Sequence, residues 1–211
     1  MAVYDLEEQE QLDELKAWWK QWRNAITAAI AVFVIVFAGI QWWRNHERTL
    51  AVEASTLFAT VQKVAGEKDE KKVLDAVKAI TDKHPGSAYA GRAALVAAKV
   101  AFDKGDLGTA KSQLEWAIGN AKEDEIKSVA RLRLAGLLGD EKKFDDGLKL
   151  LDANTGTGFE AATSLLRGDL LAVQGKLAEA KTAYTSAMAK SDPRDDKRSI
   201  QAKLDALGDV K

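Results

Sequence analysis

The sequence contains no cysteine and only two prolines among its 211 residues. A chain without cysteine forms no disulfide and binds no metal through a thiolate, which is compatible with an oxidising compartment. Pro85 and Pro193 lie at breaks between segments rich in alanine, leucine, lysine and glutamate. These residues favour helix, and no segment shows the apolar and polar alternation of a half-buried strand. The sequence therefore predicts an all-α protein.

The sequence also lacks an excess of charge of either sign. Lysine and arginine number 31 and aspartate and glutamate 32, so the formal net charge is -1. A nucleic-acid-binding protein concentrates basic residues in a stripe that neutralises phosphates, and this sequence has no such stripe. We therefore expect no nucleic acid among its partners.

Motifs for catalysis, cofactor binding and metal binding are missing as well. The two histidines, His46 and His84, lie far apart, and neither has a second ligand or an acid at catalytic spacing. Paired acidic residues are more typical of solvated helix faces than of a general acid and base. Gly168, Gly175 and Lys176 do not have the spacing of a phosphate-binding loop. The sequence thus predicts no enzyme, no cofactor and no metal site.

One long apolar run stands out against the charged remainder. Residues 24–43, between Arg23 and Arg44, are 20 uncharged residues. As a helix they span about 30 Å, the thickness of the hydrocarbon core of a bilayer. Five of the six tryptophans lie just before the run or at its end, where indole rings prefer the lipid headgroup region. We expect a transmembrane helix over 24–43, with a membrane interface formed by Trp18, Trp19, Trp22, Trp42 and Trp43.

A cleaved secretory signal is the alternative interpretation of this run. Such a signal has a short basic leader and ends in small residues that a peptidase recognises. Here the 23 residues before the run are rich in Asp and Glu, and 37–43 contains bulky residues. These features favour an uncleaved membrane anchor.

The charges that flank the run indicate its orientation. Three basic residues precede it and two follow it closely: Lys16, Lys20 and Arg23, then Arg44 and Arg48. Basic residues are retained on the cytoplasmic side, so the balance favours a cytoplasmic N-terminus. The expected organisation is a short acidic cytoplasmic head (1–23), the transmembrane helix (24–43) and a periplasmic domain (44–211).

The region after the run contains an internal repeat. The segments "GDLGTAKSQLEWAI" (105–118) and "GKLAEAKTAYTSAM" (175–188) share glycine, leucine, lysine and two alanines at equal offsets. The segment "KKFDDGLKLLDANT" (142–155) keeps the register with Gly147 but has Lys142 in place of the glycine. A first copy, "KKVLDAVKAITDKH" (71–84), places Ala76 at the position of the small residue.

A period near 34 residues with a small residue at a fixed place resembles the tetratricopeptide repeat. Each repeat of that family is a helix pair, in which Ala110 or Ala180 would let two helices approach and Leu114 or Tyr184 would fill the space between them. The prediction is a tetratricopeptide-repeat-like helical solenoid preceded by one transmembrane helix. A generic helical bundle is the alternative. The segment from 198 can close the stack with Ile200, Leu204 and Leu207.

The first helix of each pair lines a concave surface in repeats of this family. The register predicts a mostly apolar groove for peptides or proteins, which would bind extended segments weakly. Its expected residues are Arg92, Leu95, Lys99, Phe102, Val129, Leu132, Gly136, Leu165 and Asp169. In the alternative interpretation Leu95, Leu132 and Leu165 are core residues that point between helices.

The acidic head with "LDELKAWWKQWRN" (12–24), a span that ends in "QWWR" and degenerate repeats together resemble the YfgM-type ancillary subunits of the SecYEG translocon. The resemblance implies a single-pass inner-membrane protein of Gram-negative bacteria with no catalytic residues. It also implies three protein partners: SecYEG, a membrane-anchored periplasmic prolyl isomerase chaperone, and unfolded secretory proteins that pass to periplasmic chaperones. A membrane-anchored scaffold for envelope assembly or cell-division coordination remains the alternative.

Overall fold

The computed structural model describes residues 2–67, 69–154, 156–192 and 197–208. Within those ranges the backbone forms helices and no strand, which confirms the all-α prediction. The chain divides into two compact units, Met1–Thr49 and Leu50–Lys211. The helices are α1 (Ala2–Gly66), α2 (Glu70–Lys83), α3 (Ala88–Lys104), α4 (Leu107–Asn120), α5 (Asp124–Asp140), α6 (Phe144–Asp152), α7 (Glu160–Val173), α8 (Leu177–Lys190) and α9 (Arg198–Leu207).

The first unit holds the apolar run, which lies in α1. Large apolar side chains of the run are exposed, with Phe33 at 69% and Ile35 at 71%. In the part of the chain that the structure describes, one helix is long and apolar enough to cross a membrane, and an 18-residue stretch of it has a mean hydropathy of 2.2. None of that stretch is buried. Exposed apolar surface costs about 25 cal/mol per Å² in water, so this surface is suited to lipid.

The second unit is a stack of helix pairs. Residues 50–66 of α1 pack with α2 and α3 around a core that includes Ala54, Val61 and Ile80. From α2 to α9 each helix contacts the next, and α5 also contacts α3 and α7. A stack in which each repeat contacts only its neighbours is a solenoid. The predicted tetratricopeptide-like architecture is therefore confirmed.

The second helix of each pair has a buried residue at its fourth position. In α4, α6 and α8 that residue is small, as the repeat predicts: Ala110, Gly147 and Ala180. In α2 it is the fully buried Val73, whereas Ala76 is half-buried. The assignment of Ala76 to this position is therefore wrong by three residues. Residues three apart share a helix face, so an alanine one turn away fits the sequence pattern almost equally well.

The residue four positions later fills the space between paired helices. Leu114 and Tyr184 are both buried, as predicted. A Cβ atom on Gly168 of α7 would lie 2.4 Å from the Tyr184 ring. Glycine is therefore required at position 168, because it allows α7 to approach the tyrosine of α8.

The turns inside three of the pairs share one backbone geometry. Two residues before the second helix, the chain has a positive φ at Gly105 (83°), Lys142 (60°) and Gly175 (77°). The backbone N–H of each donates a hydrogen bond of 2.9 Å to the carbonyl three residues earlier. The N–H of the following residue donates to the carbonyl five residues earlier. This pattern satisfies carbonyls at the end of the first helix and normally uses glycine.

Helix α9 covers the C-terminal end of the stack. Ile200 is buried in the same core cluster as Leu171 and Tyr184, and Leu204 and Leu207 pack against that cluster. The predicted role of this segment as a cap is therefore confirmed. A terminal cap of this kind keeps the apolar end of a solenoid from solvent.

Candidate partner-binding site

Two cavities open on the surface formed by α3 and α5. The first, here called the inner pocket, has a volume of about 890 Å³ and also touches the end of α1. Its apolar side chains come from Ala65 and from α3, and its charged side chains include three basic residues and one acidic residue. The lining residues are Ala65, Leu95, Val96, Lys99, Val100, Asp103, Lys104 and Arg133.

The second cavity, here called the Phe102 pocket, lies between α3, α4 and α5 and has a volume of about 420 Å³. Its floor is apolar, with Ala98, Leu114 and Leu137, and Phe102 at its edge is 48% exposed. A Cβ atom on Gly136 would meet no atom within 4 Å, so the absence of a side chain there keeps the pocket open. An exposed aromatic ring beside an open apolar pocket is a feature of protein-binding sites.

The two pockets share Lys99, Asp103 and Arg133 and therefore form one surface, the α3–α5 groove. Lys99 Nζ lies 2.7 Å from Asp103 Oδ2, so these two charges neutralise each other. Arg133 Nη1 donates a hydrogen bond of 3.4 Å to the Leu95 carbonyl. Among the described residues Arg133 makes no ion pair. The shared part of the groove thus carries one uncompensated positive charge.

Four of the predicted groove residues line these pockets. Leu95 and Lys99 line the inner pocket, and Lys99, Phe102 and Gly136 line the Phe102 pocket. Leu95 is only 8% exposed and belongs to a core cluster with Leu114 and other leucines. Its position agrees with the alternative that this leucine is a core residue, whose edge forms part of the pocket wall.

Three predicted residues have other contacts. Arg92 makes a two-point ion pair with Glu123, with Nη2 at 2.7 Å from Oε1 and Nε at 3.1 Å from Oε2. Val129 is half-buried against the core cluster of Leu95. Leu132 packs against a different cluster, which contains Leu151 and residues of α7. None of the three lines either pocket of the groove.

The two predicted residues on α7 belong to the region under the cap. Leu165 packs against the cluster that α9 covers. Asp169 accepts a hydrogen bond of 2.8 Å from the Tyr184 hydroxyl and forms an ion pair with Lys203 of α9. Burial, together with the hydrogen bond to this carboxylate, raises the pKa of Tyr184 far above its usual value, so the hydroxyl stays a donor. Asp169 therefore holds the cap, and both its partners are within the chain.

Arg133, Val96 and Val100 were not identified from the sequence. Neighbouring positions on a helix point about 100° apart, so choosing Leu132 instead of Arg133 selects a different face of α5. The residues that line the pockets include 96, 99, 100 and 103 on α3 and 133, 136 and 140 on α5, and each set lies on one face of its helix. This spacing of three and four residues could have been found in the sequence, but the leucines of α5 favoured the face that contains Leu132.

No group of three metal-binding side chains is found in the described ranges. His84 Nε2 lies 3.4 Å from Glu53 Oε2, and the histidine side chain is 9% exposed. This contact joins the end of α2 to residues 50–66 of α1. It has the character of a structural contact between two helices.

Comparison with known proteins identifies the family. The sequence profile of the tetratricopeptide repeat-like domain matches residues 16–209. A protein of Neisseria gonorrhoeae named ancillary SecYEG translocon subunit is 30% identical over 98% of this chain and 100% of its own length. The chain belongs to this family. Proteins of the same name from Haemophilus influenzae and Escherichia coli are 26% and 27% identical, over 88% and 91% of the chain and 90% and 91% of their own lengths. No solved structure matches significantly.

The tryptophans of this member of the ancillary SecYEG translocon subunit family lie at both ends of its apolar run. Trp18, Trp19 and Trp22 precede the run and Trp42 and Trp43 are its last two residues, and all five are 49% to 68% exposed. The Trp42 ring stacks on His46, with centroids 5.7 Å apart and planes 4° apart. The exposed rings are available for contact with lipid headgroups, as the membrane-interface prediction requires.

Proposed function

We propose that this protein is a non-enzymatic ancillary subunit of the SecYEG translocon. Residues 1–23 form its cytoplasmic head, 24–43 cross the inner membrane, and 44–211 form a periplasmic repeat domain. One observation carries the proposal. This chain is similar over nearly its full length, from the head through the repeats, to proteins named for this role. The exposed apolar run with tryptophans at both ends supports the anchor.

In this proposal the repeat domain binds secreted proteins as they leave the translocon and helps pass them to periplasmic chaperones. A membrane-anchored prolyl isomerase chaperone is the expected receiving partner. The α3–α5 groove supplies the physical basis, because its apolar walls suit the side chains of an unfolded segment. Its small area and open shape favour modest affinity, and a segment that must be released again needs weak binding.

The test is site-specific photo-crosslinking in native membranes, with the photoreactive residue at position 99 and mass spectrometry of the products. We expect crosslinks to unfolded secretory chains and to SecYEG subunits. The variant Phe102→Asp should lose the crosslinks to secretory chains, since a carboxylate facing an apolar segment is strongly disfavoured. Phe102 suits this purpose because it is 48% exposed, whereas the half-buried Leu132 contributes to a core cluster.

The matched control is Val173→Asp, which places the same charge on another exposed apolar residue, 71% exposed at the end of α7. This variant should keep the crosslinks, and both variants should keep their helical circular dichroism. Normal crosslinking by a folded Phe102→Asp variant would contradict the role of the groove. Crosslinks restricted to envelope-assembly or cell-division proteins would replace the translocon proposal with a scaffold function.

A further inference from the structure

The α3–α5 groove is not electrically neutral, and its charges imply a preference among bound segments. The basic residues that line its two pockets are Lys99, Lys104 and Arg133, and the acidic residues are Asp103 and Asp140. The pair of Lys99 with Asp103, at 2.7 Å, removes one charge of each sign. An apolar pocket with net positive charge at its rim favours a ligand that is apolar but carries a negative group.

Arg133 is the residue best placed to select that negative group. It lines both pockets, so a segment that occupies both passes beside it. It has no acidic partner among the described residues, and its hydrogen bond to the Leu95 carbonyl uses only one of its five N–H donors. The free edge of a guanidinium matches a carboxylate, to which it can donate two parallel hydrogen bonds.

We propose that Arg133 is a specificity-determining residue, which makes the α3–α5 groove prefer extended segments with an aspartate or glutamate between apolar side chains. This inference rests on the proposed function, because it assumes that the groove binds extended protein segments. One apolar side chain enters the inner pocket and another enters the Phe102 pocket beside Gly136. The acidic side chain between them pairs with Arg133. A lysine at the same place in the segment is repelled.

The experiment measures binding of fluorescent peptides to the full-length protein in lipid nanodiscs by anisotropy. Three peptides, blocked at both ends so that no terminal carboxylate contributes, have leucines on either side of a central Asp, Asn or Lys. We expect the Asp peptide to bind about fivefold more tightly than the Asn peptide, the ratio that 1 kcal/mol gives. The Lys peptide should bind most weakly. The preference for Asp should shrink as the salt concentration rises.

Variants of two arginines on the same helix identify the source of the preference. Arg133→Gln should bind the Asp and Asn peptides equally and leave the affinity for the Asn peptide within about twofold of the parent. Arg133→Lys should keep part of the preference, since it retains the charge without the planar fork. Arg131→Gln is the matched control, because Arg131 lines a cavity with Ser128 and Gly156 and not the groove. It should keep the full preference.

The outcomes separate this inference from the proposed function. Equal binding of all three peptides by the parent protein would overturn the role of Arg133 while leaving a groove that binds apolar segments. An equal loss of preference in the Arg131→Gln and Arg133→Gln variants would also overturn it, because the effect would then come from net charge. If no peptide binds, the binding role of the groove fails and the inference fails with it.

Discussion

Lys142 occupies a backbone conformation for which lysine is poorly suited. Its φ of 60° makes it the one residue other than glycine with a positive φ in the described ranges. The matching turns have Gly105 and Gly175, and all three have the same pattern of backbone hydrogen bonds. Lys142→Gly should therefore stabilise the repeat domain without changing the turn.

The size of the effect follows from two opposing contributions. A left-handed conformation costs a residue with a Cβ atom about 1–2 kcal/mol. Glycine adds conformational freedom to the unfolded chain, which offsets about 0.4–1 kcal/mol of the gain. The net increase in the free energy of unfolding should be about 0.8 kcal/mol. For a domain of this size it should raise the melting temperature by about 2 °C.

Thermal unfolding of the full chain in detergent, followed by circular dichroism, measures this change. Lys142→Ala is the control, since it removes the lysine side chain but keeps the Cβ atom and should bring little gain. Gly105→Ala is the reverse test. A Cβ atom there meets nothing within 4 Å, so its expected loss of about 1 kcal/mol comes from the backbone alone. Equal stability of Lys142→Gly and Lys142→Ala, or an unchanged Gly105→Ala protein, would refute the reasoning.

Two further predictions concern packing and acid stability. Ala110→Leu should overpack the second helix pair and lower the free energy of unfolding by about 1–3 kcal/mol in urea titrations, whereas Ser112→Leu at an exposed position should change it little. Asp106 caps α4, and hydrogen bonds from Thr109 lower its pKa. Its stabilising effect should therefore be present in full above about pH 4 and be lost progressively as the pH falls through this lowered pKa, so the difference in melting temperature between the parent and Asp106→Ala proteins should be constant from pH 6 to pH 5 and shrink below pH 4.

The sequence was sufficient to predict the second helices of the repeats. Ala110 and Ala180 lie in segments that share five residues at equal offsets, and each segment begins with a turn glycine that defines where the helix starts. The first pair lacked such a marker, because the sequence has Lys68 and not glycine two residues before α2. The alanine pattern alone then placed Ala76 where the structure has Val73. Alanine recurs too often in this chain to define the rotation of a helix.

The groove was predicted less well because its rotation depends on how neighbouring pairs pack. On α3 the exposed residues Lys99 and Phe102, which the sequence assigned to a concave surface, line the pockets. On α5 the apolar Leu132 was chosen, and the structure shows that it packs towards α6 and α7. The groove presents Arg133 instead. Assigning apolar residues to a binding surface fails on α5, because its leucines pack in the interface between repeats and charged residues such as Arg133 stay exposed.

The contacts of the cap explain why Asp169 does not belong to the groove. Gly168 lets the Tyr184 ring approach α7, and this approach brings the tyrosine hydroxyl to 2.8 Å from Asp169. Lys203 of α9 pairs with the same carboxylate. Asp169 thus has a donor and a cation within the chain, and it is not available to a bound segment. The predicted groove residues that line an open pocket lie on α3 and α5. A segment bound there makes only a short contact, and short contacts dissociate fast enough for the transfer that we propose.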